Sequence, residues 1–280
     1  MQTTIGQHRR ASRNPFSSLL RNRELLWQFT ERNVELRHKG SHLGLAWAVL
    51  NPLLLLALYV FAFGLVFGGS FRAVPNETPW DYALGVFLGL TIYHLLSEAI
   101  ATAPFVIVGN TNFVKKVVFP LEILPVASVG ASAVHFGISL ILVMIGVGTV
   151  GPGFSASIVW LPVVIVPLLA LSIGLAWMLS ALAVFIRDIG QVVQAFTLVL
   201  LFASAIFYPA KDIQTNAPFA WTFLKFNPLL VAVDIARDAT LWHRSPELDR
   251  IYFLYGCGGV VFLAGYWIFN RLRDGFADVV

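Results

Sequence analysis

Charge is what this chain has least of. Only 12% of its 280 residues are Asp, Glu, Lys or Arg, against 58% hydrophobic, and the mean hydropathy is +0.76. A soluble domain carries about 25% charge, so the composition excludes an ordinary soluble protein. It implies a polytopic membrane protein with little soluble mass. Cysteine is nearly absent too. Cys257 stands alone in an apolar run, which excludes an intramolecular disulfide and reads as a small buried hydrophobe. The phosphate-binding pattern GxxxxGK[ST] is missing, and none of the lysines follows the required glycine. HExxH, GxSxG and Cys/His clusters of metal-ligand spacing are missing as well. No catalytic or metal-binding residue is therefore assigned, and no cofactor is expected on this chain. The net charge of +4 is small and concentrated near the start, which argues against nucleic acid as a partner.

What is abundant is long apolar sequence. A spanning helix needs about 20 mostly apolar residues, and six stretches qualify: Gly44–Phe67, Tyr82–Val108, Leu121–Val150, Ile158–Ile186, Gln191–Tyr208 and Ile251–Phe269. The third and fourth are long enough to tilt or to begin outside the hydrocarbon. Pro162 and Pro167 predict a kink in the fourth, or a delayed regular start. The expected fold is all-α with six transmembrane helices.

Cations orient the spans. Arg9, Arg10, Arg13, Arg21, Arg23, Arg32, Arg37 and Lys39 crowd the first forty residues, with no apolar core of signal-peptide type, so no cleavage is expected. Lys115 and Lys116 follow the second span, Arg187 the fourth, and Arg271 and Arg273 the last. These segments share the cytoplasmic side, which puts both termini inside. The segment 209–250 is too apolar for an ordinary loop and too interrupted to span twice. It is read as a re-entrant helical pair at the outer face, tolerable only where protein or a wet cavity surrounds its backbone. The chain thus divides into a cytoplasmic segment 1–43, a membrane domain 44–270 and a tail 271–280.

Between Leu19 and Arg37 the apolar residues recur at helical period, with Glu24, Gln28, Glu31 and Glu35 on the opposite face. This predicts an amphipathic helix in the cytoplasmic interface, either a plain anchor or a docking site for a cytosolic partner. Tyr59, Phe63 and Phe67 stack on one face of the first span. They fit a lipid-facing or core stripe, and equally a wall on which sugar rings stack. Gly64/Gly68 and Gly85/Gly89 are expected to pack helices closely. His94 and Glu98 share a face of the second span. Mutual pairing, a wet cavity and a proton relay all remain open. His135 stands alone in the third span and reads as structural.

Four segments, RHKGSHLGLAWAVLNPL, NTNFVKKVVFPLEILP, FIRDIGQ and FNPLL, occur in this order between the spans. Together they resemble the membrane subunits of ABC exporters for lipid-linked bacterial polysaccharides. The likeness is to the O-antigen (Wzm-type) and teichoic-acid exporters and covers about residues 20 to 275. It implies a homodimer in the bacterial inner membrane, in contact with membrane lipid, with two nucleotide-binding ATPase subunits that hold ATP and Mg. It implies that segment 110–120, notably Asn112, Phe113, Val114, Lys115 and Lys116, couples to the ATPase. The acidic stripe Glu24, Glu31 and Glu35 would add a second contact. Tyr59, Phe63, Phe67 and Phe87, with Phe196 and Phe207, would line a glycan conduit.

The substrate so implied is a glycan on a polyprenyl diphosphate. Arg37, Lys39 and His42 lie at the right depth to receive the diphosphate. The same cations would also serve plain membrane topogenesis. Capsule exporters, exporters of drugs or small lipids, and a membrane enzyme using Asp212, Asp234, Asp238 or Glu247 are the alternatives.

Overall fold

The computed structural model describes residues 15–40, 42–44, 46–116 and 119–279. Arg9, Arg10 and Arg13, and Val117 and Val118 of the expected coupling segment, lie outside the described residues. Every regular element described is helical. In chain order these are α1 (Pro15–Arg21), α2 (Arg23–His38), α3 (Ala46–Tyr59), α4 (Pro79–Val108), α5 (Thr111–Lys116), α6 (Ile123–Thr149) and α7 (Trp160–Phe185). They continue with α8 (Ile189–Ala203), α9 (Ala210–Asn216), α10 (Pro218–Leu224), α11 (Pro228–Thr240), α12 (Leu248–Leu272) and α13 (Phe276–Val279). Five segments are long and apolar enough to cross a membrane: Ala46–Val66, Pro79–Val108, Ile123–Thr149, Ala156–Phe185 and Leu248–Val279. Each coincides with a predicted span.

The centre is α4, which packs against α7 and α6 and whose most apolar stretch is 83% buried. Its start is set by a capping box. Thr78 Oγ1 accepts from the Asp81 amide at 3.2 Å, and the Asp81 carboxylate accepts from the Thr78 amide at 2.9 Å. Pro79 follows at the first helical position, where its missing N–H breaks no bond. At 30 residues α4 is about 45 Å long, more than a bilayer core requires. The delayed start expected of the fourth span takes the form of a 3₁₀ turn, Ala156–Val159, ahead of α7. Pro162 then lies in the first turn of α7 and Pro167 inside it.

The tightest helix pair is α7 with α12, and not a contact made by either GxxxG. A Cβ on Gly174 would lie 2.4 Å from the Val261 carbonyl oxygen, and one on Gly265 2.0 Å from that of Gly174, so only glycine permits the approach. Gly85 and Gly89 serve another purpose. A Cβ there would meet Phe71 at 2.6 Å and Arg237 at 2.7 Å, so they make room for two side chains rather than for a helix.

The N-terminal helices run beside α6 in the same direction. Ser18 Oγ donates to Glu122 at 2.7 Å, Thr30 lies over Gly130, and Arg37 reaches Ser132 and His135. Leu26 and Phe29 of α2 pack inward while Trp27 and Leu36 stay exposed, so the apolar face is divided between core and surroundings.

The fifth predicted span, Gln191–Tyr208, is represented by α8. This helix has only 15 residues, about 22 Å, against a hydrocarbon core of about 30 Å. The chain breaks at Ser204, and Ala205 takes a positive φ of 51°. Beyond the break, α10 and α11 meet at 91°. Asn227 caps α11 by accepting from the Leu229 amide at 3.0 Å, with Pro228 at the first helical position.

Candidate functional site

Three constellations follow from this framework. The first is an aromatic ladder. After α3 the hydrogen bonding widens to π-helical over Val60–Val66, with the Phe67 amide donating to Ala62 at 3.1 Å. Such widened turns are frequent at functional sites. Phe63 stacks on Phe207 with centroids 4.4 Å apart and planes 11° apart. Tyr59 lies 4.8 Å from Phe207, and Phe67 lies 5.8 Å from Phe63. The ladder therefore joins the first span to the break after α8. Phe67 is open to the surroundings, whereas Phe207 is almost wholly covered. The other two expected conduit rings stand apart from this stack. Phe87 is buried in the main core, and Phe196 is half-exposed on α8.

Polar side chains hold the break that positions Phe207. Arg237, fully buried, donates to the carbonyls of Gly85 (2.9 Å), Ala205 (2.7 Å) and Ile206 (2.5 Å). Its guanidinium lies 4.1 Å from the centroid of Phe71. Asn227 Nδ2 donates to the Ala203 carbonyl at 3.2 Å, and the Tyr82 hydroxyl to that of Phe207 at 3.0 Å. The broken backbone is thus satisfied by protein, which is the condition for non-helical chain in a bilayer. Sequence reasoning missed Arg237. The available signal was a cation on the apolar side of α11, one turn from Val233, where an ordinary loop helix has none.

The second constellation is ionic. Arg37 forms a close ion pair with Glu98 and also reaches His135 Nδ1 at 2.8 Å and Ser132 Oγ at 3.1 Å. His135 Nδ1 lies 3.5 Å from the Glu98 carboxylate. The reading of His135 as a lone residue is thereby corrected, and the partner of Glu98 is Arg37 rather than its helix neighbour His94. The three expected diphosphate ligands separate. Arg37 is half-buried against α4 and α6, Lys39 lines a different cavity with Glu31 and Glu35, and His42 is exposed.

The third constellation lies at the end where α5 follows α4. Phe113 of α5 sits 5.4 Å from Phe29 of α2 and 4.8 Å from Phe119, and Phe29 is 5.4 Å from Phe119. This triad fixes α5 to α2. Val114 packs against the neighbouring core, while Asn112 and Lys115 are exposed or nearly so and Lys116 closes the helix. Glu24, Glu31 and Glu35 are exposed along α2. Behind them Glu122 is buried, bonded to Ser18 and 3.8 Å from Arg273 of the tail. No group of three or more His, Cys, Asp or Glu among the described residues is arranged to hold a metal ion.

In sequence the chain is similar to known export permeases. The chain is 27% identical over 258 residues to the O-antigen export system permease protein RfbA of Klebsiella pneumoniae, an alignment covering 92% of this chain and 95% of the relative. The protein of the same name from Myxococcus xanthus is also 27% identical, covering 92% of this chain and 96% of the relative. The family model described as ABC-2 type transporter matches residues 24–241, a stretch that contains the triad, the ionic cluster and the aromatic ladder alike. The chain belongs to the ABC-2 type transporter family.

Proposed function

We propose that this chain is the membrane subunit of an exporter that moves a lipid-linked polysaccharide of O-antigen type across the bacterial inner membrane. A separate ATPase subunit supplies the energy, since no nucleotide-binding motif is present here. One observation carries the substrate class. An aromatic ladder stands on the first span, none of whose most apolar stretch is buried in the single chain, and the sequence is similar over most of its length to O-antigen export permeases. Aromatic faces accept the C–H faces of successive sugars without demanding one sugar, as a polymer track requires.

In this reading two copies assemble with two ATPase subunits. The open sides of α3 and α8 face the partner copy or the glycan. α8, with the chain after its break, makes the sixth crossing, and the α10–α11 elbow forms a re-entrant gate at the outer face. Both termini lie in the cytoplasm. α5 and the acids of α2 meet the ATPase. Lys39 and His42 receive the diphosphate at the cytoplasmic interface, with Arg37 held back by its pair with Glu98.

Expression in a strain deleted for its own O-antigen permease, together with the ATPase subunit, tests the proposal. Surface O-antigen should be restored, and a tagged chain should retain an ATP-hydrolysing partner. Replacing residues 112–116 by a Gly/Ser segment of equal length should release that partner. A well-folded chain that retains no ATPase and restores no export would refute the proposal.

A further inference from the structure

A cavity of about 400 Å³ lies between the end of α2, the first turns of α3 and the middle of α4 and α6. Its size is within the range of small-molecule sites, about 300–1,000 Å³. Several polar side chains stand in a lining that is otherwise mostly apolar. One part is the bonded set Arg37, Glu98, Ser132 and His135. One turn along the same two helices stand His94 of α4 and Ser139 of α6, and α3 adds Asn51 and Trp47; the side chains of Asn51, His94 and Ser139 make no hydrogen bond to protein among the described residues.

Charge decides what such a cavity accepts. The Arg37 guanidinium and the Glu98 carboxylate compensate each other, so an incoming phosphate would meet no free cation and would have to break a partly buried ion pair. A phospholipid headgroup meets the same obstacle. The groups open to the cavity are a mixture of donor and acceptor: an amide, an imidazole and a hydroxyl. A sugar ring matches this mixture, since each hydroxyl donates and accepts at once and its C–H face lies against an indole.

We propose that this cavity is a saccharide subsite, taking one pyranose ring next to the lipid diphosphate. The proposal rests on the exporter reading above and adds to it where the first sugar is held. The diphosphate stays outside, at exposed Lys39 and His42, and the ring enters between Trp47 and His94. The closed Arg37–Glu98 pair then acts as the floor of the sugar site rather than as the phosphate receptor.

The test uses the chain with its ATPase subunit in nanodiscs of zwitterionic lipid and two radiolabelled probes. One is a short prenyl diphosphate bearing a single hexose, the other the same prenyl diphosphate without sugar. The wild-type complex should prefer the hexose probe by on the order of tenfold, the equivalent of one or two net hydrogen bonds. Trp47→Ala and His94→Ala should each erase the preference and leave affinity for the sugar-free probe unchanged. His94→Gln, which keeps an amide in place of the imidazole, should retain part of the preference and so separates loss of contact from loss of fold. Equal wild-type affinity for the two probes would overturn the subsite. So would a parallel loss of both probes in the variants, which marks a phosphate or headgroup site. Export in the deletion strain is scored separately. Restored export with equal probe affinities removes the subsite alone, and absent export removes the exporter reading with it.

Discussion

Replacing Arg237 by Met retains an unbranched apolar stem and removes the guanidinium. The consequence can be worked from its contacts. Gly85 lies inside α4 and keeps its own helical donor, so its carbonyl loses only a second bond. Ala205 and Ile206 lie outside any helix, and Arg237 is the donor each receives. Two buried carbonyls without partners cost about 1–3 kcal/mol each. The cation–π contact with Phe71 adds about 0.5–2 kcal/mol. Removing a buried cation that has no carboxylate within ion-pair distance among the described residues returns part of this. The net expectation is a loss of about 2–4 kcal/mol, the two carbonyls being the larger share. Arg237→Lys should recover little of it, because an ammonium cannot reproduce the planar fork that reaches three carbonyls at once. Fluorescence-detected size exclusion after a heat ramp gives the ranking, and equilibrium unfolding in mixed micelles gives the free energy. An Arg237→Met variant as stable as the wild type, or more stable, would show that the break after α8 is held by something else. The reasoning about that break would then fail.

Four further outcomes follow from the same contacts. Gly174→Ala places a methyl against the Val261 carbonyl at 2.4 Å and should separate α7 from α12, seen as loss of monodisperse protein, whereas Gly256→Ala, with open space around it, should be tolerated. In a double-mutant cycle of Arg37→Ala and Glu98→Gln on thermal stability, the pair should couple by about 0.5–3 kcal/mol, and additive losses would refute the ionic cluster. Phe113→Ala should loosen α5 from α2 and lower ATPase activity in the complex more than stability, read as turnover at fixed complex yield. Phe63→Leu removes both the 4.4 Å stack on Phe207 and the contact with Phe67, and should slow polymer export while leaving partner retention unchanged.

Much of the helical framework was legible because a bilayer forces apolar length onto sequence. Five of the six predicted stretches are helices of spanning length. The sixth marks where that logic stops. Gln191–Tyr208 is mostly apolar, yet the helix ends at Ala203, because apolarity does not record backbone continuity. What breaks the helix lies elsewhere in the chain: Asn227 and Arg237 supply the donors that make the break tolerable. No local pattern contains that information. The ladder was half legible for the same reason. Tyr59, Phe63 and Phe67 follow helical spacing, but the stacking of Phe207 on Phe63 depends on the chain turning at residue 205. His135 carries the complementary lesson. A single histidine in an apolar helix reads as inert until tertiary packing brings Arg37 and Glu98 to it.

The scarcity of charge turns out to be informative in a second way. Among the charged side chains held within the helical body, Arg37 and Arg237 both stand where a helix is interrupted. Arg37 lies in the last turn of α2, where the chain leaves that helix for α3, and it is tied to α4 and α6. Arg237 serves the end of α8, where the chain turns toward the α10–α11 elbow, and it is tied to α4 as well. Each arginine therefore fastens a discontinuity to the central helix. The aromatic ladder runs between these two fastenings, along the first span from the one and across to Phe207 at the other. A rearrangement of α5 and α2 that shifted Arg37 would be felt at the base of α3. The top of the ladder would remain anchored by Arg237. That asymmetry, one end tied to α2 and one end pinned, is what would let a motion of α2 and α5 tilt an aromatic wall rather than displace it.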